Sequence, residues 1–301
     1  MVKQVIKLVV LAPLIFASTV VQAWNFQGHV IVAEIAYQNL TPKVREKVDA
    51  LSAKAYQVMP KKTQRMMGRY DGVSQFARLA IVPDMIRKQP AQRVWKEIGE
   101  TMPLSLNQWD DKKTSKWHYI NEVYPATSQC DFVRKPNIKL ATSALYTDFK
   151  QQPQAATMMF LSHMVGDAHQ PMHSVATSMS RYWCKSDLGG NKYILDVPEK
   201  DLHHLWDNGL GLLEKKHDVD DLVVSLQHAY PVTQMDIGTP VDINQWLAES
   251  YQLADLAYSV KVGAKPAEAY YQQGKEQVKQ RLALAGYRLA DALNAALGEK
   301  D

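Results

Sequence analysis

The segment FLSHMVGDAHQPMH, residues 160–173, gathers imidazoles and a carboxylate into one short run. His163 and Asp167 are four apart, so on a helix both leave the same face, about 5–6 Å apart at Cβ. Pro171 stops regular helix, and His173 arrives from the turn beyond. A second pair at the same spacing, His203 and Asp207, lies in DLHHLWD. Neutral imidazole and carboxylate are zinc ligands, and i,i+4 spacing lets one helix supply two. A single such pair reads first as a helix-stabilising ion pair. Two pairs plus His173 turn the reading toward metal, because apolar helices rarely collect unpartnered imidazoles.

Two further candidates stand elsewhere, Asp84 in IVPDMIR and His118 in SKWHYIN. Taken alone they read as a capping or surface aspartate and a half-buried strand histidine. At the other end of the chain, Val21-Gln22-Ala23 has the small residues of a signal-peptidase site. Ahead of it run Lys3, Lys7 and the apolar stretch Leu8 to Ala17. Cleavage after Ala23 would make Trp24 the first residue and place His29 five residues on. A free α-amine and the first carbonyl oxygen close a five-membered chelate around a cation, and His29 can fold back to the same ion. The candidate ligands are then Trp24, His29, Asp84, His118, His163, Asp167, His173, His203 and Asp207. That is too many for one tetrahedral ion and suits a cluster of three with a bridging carboxylate.

These residues must be carried by helices, since the apolar positions of most segments recur at three and four. VIVAEIAYQNL, TPKVREKVDALS, SQFARLAIVPDMIRK, IKLATSALYTDF, AATMMFLSHMVGDAH and INQWLAESYQLADLAYSV each read as one helix. The stretch PAEAYYQQGKEQVKQRLALAGYRLADALNAAL reads as one long helix. WHYINEVY and KYILDV are β-like but do not alternate with helices as a parallel sheet requires. No linker, repeat or low-complexity tract marks a boundary. The expectation is a mainly α, single-domain protein, with residues 1–23 a signal peptide and 24–301 the domain.

The formal charge of +4 includes Lys3 and Lys7, so removal of the leader leaves +2. Such a balance excludes a broad basic nucleic-acid surface, and any polyanion must be held locally by metal or a few arginines. After the leader no run reaches about 18 uncharged apolar residues, which argues against a membrane protein. Cys130 and Cys184, in an exported chain, are expected to pair as a disulfide, the alternative being two buried thiols.

The ordered set W-x4-H, D-x2-R, H-Y-x-N, H-x3-D-x5-H, G-G-N, H-x2-W-D resembles the trinuclear-zinc single-strand nucleases of fungi, plants and bacteria, the nuclease S-one/P-one family. The chain looks like a bacterial exported member. The resemblance implies the compact multi-helix domain of the zinc nuclease and zinc phospholipase C type, with three zinc ions. It assigns Asp84, His118, His163 and Asp167 to one zinc. The Trp24 amine and carbonyl, His29 and Asp167 go to a second, and His173, His203 and Asp207 to the third. It makes Arg87 a contact to the scissile phosphate, Asn191 a hydrogen-bonding partner of a base, and Tyr119 a stacking surface. Asn121 stands where fungal and plant members carry Asp, so the base and phosphate environment differs there. His169 is no family ligand and reads as a support for the cluster, while His204, His217 and His228 read as surface residues. The segment from His173 to Asn191 is longer than in the fungal enzymes and carries Arg181, Tyr182, Trp183 and Cys184.

The implied activity is hydrolysis of single-stranded DNA and RNA, and of 3′-nucleotides, to 5′-phosphorylated products. Zinc-activated hydroxide is the nucleophile and Asp84 orients it. The implied location is periplasmic or secreted, and the expected state a monomer. The rival within the same architecture is zinc phospholipase C, whose members place the first His further from the N-terminal Trp and end the ligand set with Glu. A rival of another class is an exported zinc-binding protein without turnover, but structural zinc sites are typically closed and Cys-rich.

Overall fold

The computed structural model describes residues 24–109, 113–213, 219–238 and 241–298. The expected leader and His217 lie outside the described residues. The chain opens with α1 (Phe26–Gln38), α2 (Pro42–Val58), α3 (Lys61–Met67), α4 (Gln75–Leu79), α5 (Val82–Ile86), α6 (Gln92–Ile98) and α7 (Leu104–Asn107). A 3-10 turn at Ser115–His118 leads to β1 (Glu122–Tyr124), followed by α8 (Ile138–Gln151), α9 (Ala155–Ala168) and α10 (Pro171–Ser174). Then come β2 (Val175–Thr177), α11 (Leu202–Asp207), α12 (Val219–Ala229), α13 (Ile243–Gln252), α14 (Ala254–Ala257) and α15 (Glu268–Leu297). The fold is mainly α; β1 and β2 form a two-stranded parallel sheet, with Glu122 opposite Val175.

Two helices are apolar nearly all round, and this puts them at the centre. α9 is buried from Ala155 to Ala168, and α1 from Gly28 to Ala36. A helix without a polar face has no solvent side, so it must be wrapped by others. α1 packs on α15, α4, α12 and α9, and α9 packs on α8, α15 and α2. The metal-type residues His29, His163 and Asp167 therefore enter the core on helices with no freedom to turn.

Two expected helices are each broken in two, and both breaks matter. SQFARLAIVPDMIRK divides into α4 and α5 because Pro83 brings no N–H and favours a fresh helix start. The break turns the Ala80 carbonyl to His163, whose Nδ1 lies 2.7 Å away. INQWLAESYQLADLAYSV divides into α13 and α14 at Leu253. The long C-terminal helix is continuous. KYILDV forms no named strand, only a bridge between Ile194 and Asp201. His118 ends the 3-10 turn and is buried, so it is not the half-buried strand histidine that its sequence alone suggested.

Candidate metal centre and cleft

Asp167 is where the elements converge. Its Oδ1 lies 3.3 Å from His29 Nε2, and its Oδ2 lies 2.9 Å from His118 Nδ1 and 3.3 Å from His163 Nε2. Asp84 Oδ1 stands 3.7 Å from both His118 Nδ1 and His163 Nε2, which are 3.1 Å apart. His29 and His163 stack with ring centroids 3.7 Å apart. One carboxylate thus faces two groups of ligand atoms, one with His29 and one with Asp84 and His118. A third group, His173, His203 and Asp207, is also close enough to hold a cation, with His203 Nε2 3.4 Å from Asp207 Oδ2.

Second bonds decide which ring nitrogens face inward. A carbonyl only accepts, so His163 donates Nδ1–H to Ala80, His173 to His118 at 2.5 Å, and His203 to Gly189 at 2.6 Å. Each Nε2 is left with its lone pair, the tautomer a metal requires. Burial drives the same way: it lowers His163 to about 3, His173 to about 4 and His203 to about 3. Burial raises the Asp84 carboxyl to about 7, opposed by His118 and assisted by the Asp167 charge. Burial would raise Asp167 as well, yet the imidazoles of His163, His118 and His29 hold it well below the carboxylate range. Asp207 is pushed well above that range by burial, despite the bond from Gln170 Nε2 to its Oδ1 at 2.5 Å.

These residues fit a metal because their buried atoms lack partners. Both nitrogens of His29, both oxygens of Asp84, Asp167 Oδ1, the Nε2 atoms of His118, His173 and His203, and Asp207 Oδ2 have no hydrogen bond. Each such orphan costs about 1–3 kcal/mol, so those grouped on Asp84, Asp167, His29 Nε2, His173, His203 and Asp207 suit a cation. Ligands at about 2.0–2.1 Å from a tetrahedral zinc stand about 3.3 Å apart, close to the separations observed.

Trp24, the first described residue, packs against α9. Its indole is fully buried and donates to the Gly166 carbonyl at 3.0 Å. Asn25 N–H bonds to the Asp207 carbonyl at 2.9 Å, and the Asn25 side chain caps α1. The approach of α1 to α9 depends on Gly166, where an added Cβ would stand 2.9 Å from His29 Nδ1.

Above the third group opens a cleft of about 290 Å³, lined in part by Arg87, Lys88, His118, Tyr119, Asn121 and Asn191. Arg87, only 12% exposed, reaches to 3.9 Å from Asp84. Asn121 is buried with φ of 60°, and Asn191 Nδ2 donates to the Leu188 carbonyl at 2.7 Å. Gly190 lets this wall close on the site, since a Cβ there would meet the His203 amide at 3.0 Å. Sequence reasoning missed Gln170, although it lies within the His-rich motif, and Asp187. Asp187 accepts from Thr177 and Gly190 amides at 3.0 Å each and from Tyr258 Oη at 2.7 Å, so it holds the Gly-Gly-Asn turn. The His169 ring faces away from the candidate ligands, bonding to Val165 and Arg288, while its backbone N–H caps α9 on the Asp167 and Gly166 carbonyls. His204 is half-buried and pairs with Asp201. Cys130 and Cys184 form a disulfide.

The family model for S1/P1 nuclease matches residues 24–298. Among characterised relatives, Endonuclease 1 of Arabidopsis thaliana is 27% identical, covering 97% of this chain and 93% of its own length. Endonuclease 5 of the same plant is 28% identical over 67% of this chain and 76% of its own length. The chain belongs to the S1/P1 nuclease family, a zinc-dependent family of nucleases acting on nucleic acid.

Proposed function

We propose that the chain is an exported, three-zinc phosphodiesterase that cleaves single-stranded DNA and RNA, and 3′-nucleotides, leaving 5′-phosphates. The observation that carries this reading is the set of orphaned lone pairs on the floor of a cleft that also presents Arg87. Asp84, His118, His163 and Asp167 would hold one zinc, the Trp24 terminus, His29 and Asp167 a second, and His173, His203 and Asp207 the third. Zinc so bound supplies Lewis acidity and lowers the pKa of a water to about 7.

The chain's own residues do the rest. Asp84, its carboxylate beside His118 and His163 under the cleft, would orient the attacking water. Arg87 binds the phosphate oxygens at the cleft mouth. Tyr119 stacks on a base, and Asn121 and Asn191 hydrogen-bond its edge. A base must leave its stack to enter, which inside a duplex costs a few kcal/mol; this favours single strands. Removal of residues 1–23 exposes the Trp24 amine, and the disulfide is compatible with an exported chain.

The test is elemental analysis of the mature protein with turnover on single-stranded DNA, RNA, 3′-AMP and phosphatidylcholine. Three zinc ions and cleavage of the first three substrates are expected; hydrolysis of phosphatidylcholine alone would hand the site to the phospholipase reading. One extra Gly before Trp24 should cost one zinc and most activity, because an amide nitrogen lacks the amine's lone pair.

A further inference from the structure

The 178–186 loop presents two large aromatics that its own folding does not use. Tyr182 is 87% and Trp183 65% exposed, and the two rings lean on each other with centroids 6.0 Å apart. Backbone and serine hydroxyls close the loop instead. Met179 N–H bonds to the Lys185 carbonyl at 2.7 Å, and Ser178 Oγ donates to Ser180 O at 3.0 Å. The Cys130–Cys184 disulfide then ties it to the neighbouring 130–135 segment. The loop is anchored while its aromatic side chains remain in water. Rigid aromatics bind with little ordering cost, the property of a recognition surface.

Its setting selects the ligand. Arg181 and Lys185 flank the pair, and Arg134 and Lys135 stand near the other half of the disulfide, all exposed, against the single exposed carboxylate of Asp131 in these two segments. Aromatic faces among cations suit a strand of stacked bases on a phosphate backbone. The same loop runs straight into the cleft wall: Asp187 N–H bonds to Thr177 O at 3.0 Å, and Leu188 and Asn191 line the cleft. Four residues at about 3.3 Å each keep the tip within about 13 Å of that wall along the chain. That is the length of about four nucleotides stacked at about 3.4 Å.

We propose that Tyr182 and Trp183 form a second base-stacking site, outside the metal cleft, for the continuation of a single strand whose scissile phosphate lies at the metals. The proposal rests on the nuclease reading and adds a preference for longer strands. The test compares zinc-loaded wild type with a Tyr182→Ala, Trp183→Ala double variant, on dithymidylate and on an oligothymidylate of about twelve residues. The variant's KM on the oligonucleotide should rise about tenfold, as loss of one to two stacked bases brings, with kcat kept and dithymidylate kinetics within about twofold. Trp183→Phe should restore most of the loss, since any aromatic face stacks. Equal losses on both substrates, or none on either, overturn the site. A change of oligomeric state in the variant also overturns it, assigning the pair to a contact between copies. Wild-type enzyme that cleaves neither substrate overturns the nuclease reading and this site with it.

Discussion

The interior holds two buried polar clusters, and they differ in one respect. Around His169, both imidazole nitrogens and the guanidinium nitrogens of Arg281 and Arg288 have partners. Arg281 bonds to the His169 and Trp246 carbonyls, Ser250 Oγ and Glu249, and Arg288 to Ile237 O, His169 Nε2 and Glu249. Around Asp167, two residues earlier, several facing atoms have no partner, among them Asp167 Oδ1, His29 Nε2 and both oxygens of Asp84. Buried charge that satisfies itself is architecture. Buried imidazole and carboxylate atoms left without protein partners fit a cation, which would repay their desolvation. The first cluster also serves the second: Ser250 Oγ donates to Ala168 O at 2.7 Å, which pins the end of α9 just past Asp167.

The largest effect should come from the residue both metal groups share. Asp167→Asn is expected to lose two zinc ions and all measurable turnover, whereas His203→Ala loses mainly one. Full zinc content in Asp167→Asn would remove the bridging role. Next, Arg288→Met should cost about 1–3 kcal/mol of folding stability, since His169 Nε2 and the Ile237 carbonyl lose their donor while Glu249 keeps Arg281. Its zinc content should stay that of wild type; denaturant unfolding and elemental analysis together decide this, and a drop in zinc would merge the two clusters into one.

Arg87→Ala should keep both clusters and slow turnover by about 2–4 kcal/mol of transition-state stabilisation; unchanged kinetics on a dinucleotide would leave Arg87 a bystander. Acid should separate the clusters by pH. Asp84 without metal is raised to about 7 by burial, so protons compete with zinc as pH falls through that value. Burial would raise Glu249, but Arg288 and Arg281 bring it down to about 2 from 4.5. Its stabilisation is therefore complete above pH 4.5 and lost as pH falls through 2. Zinc affinity and thermal unfolding followed across that range should decline in that order; simultaneous decline would contradict the separation.

Much of the site was legible in the sequence because its unit is local. His163 with Asp167 and His203 with Asp207 meet through helical spacing alone, and their residue types announce a cation. Trp24 and His29 were read together on other grounds, an expected cleavage site before Trp24 with His29 five residues on. The disulfide followed from there being two cysteines, and the mainly α class from apolar periodicity. Only the tertiary structure decided how the pairs are completed. Asp84 joins His163 across 79 residues of chain because Pro83 breaks a segment that periodicity alone would make one helix. That break also hands Ala80's carbonyl to His163, fixing which nitrogen faces the metal. His169 reads from the sequence as a support for the cluster because it lies in the motif, but the partners that hold it, Arg281 and Arg288, come from more than a hundred residues away. No local pattern distinguishes a helix arginine that will face solvent from one that will be buried. That distinction belongs to packing, which sums contacts from segments the sequence leaves far apart.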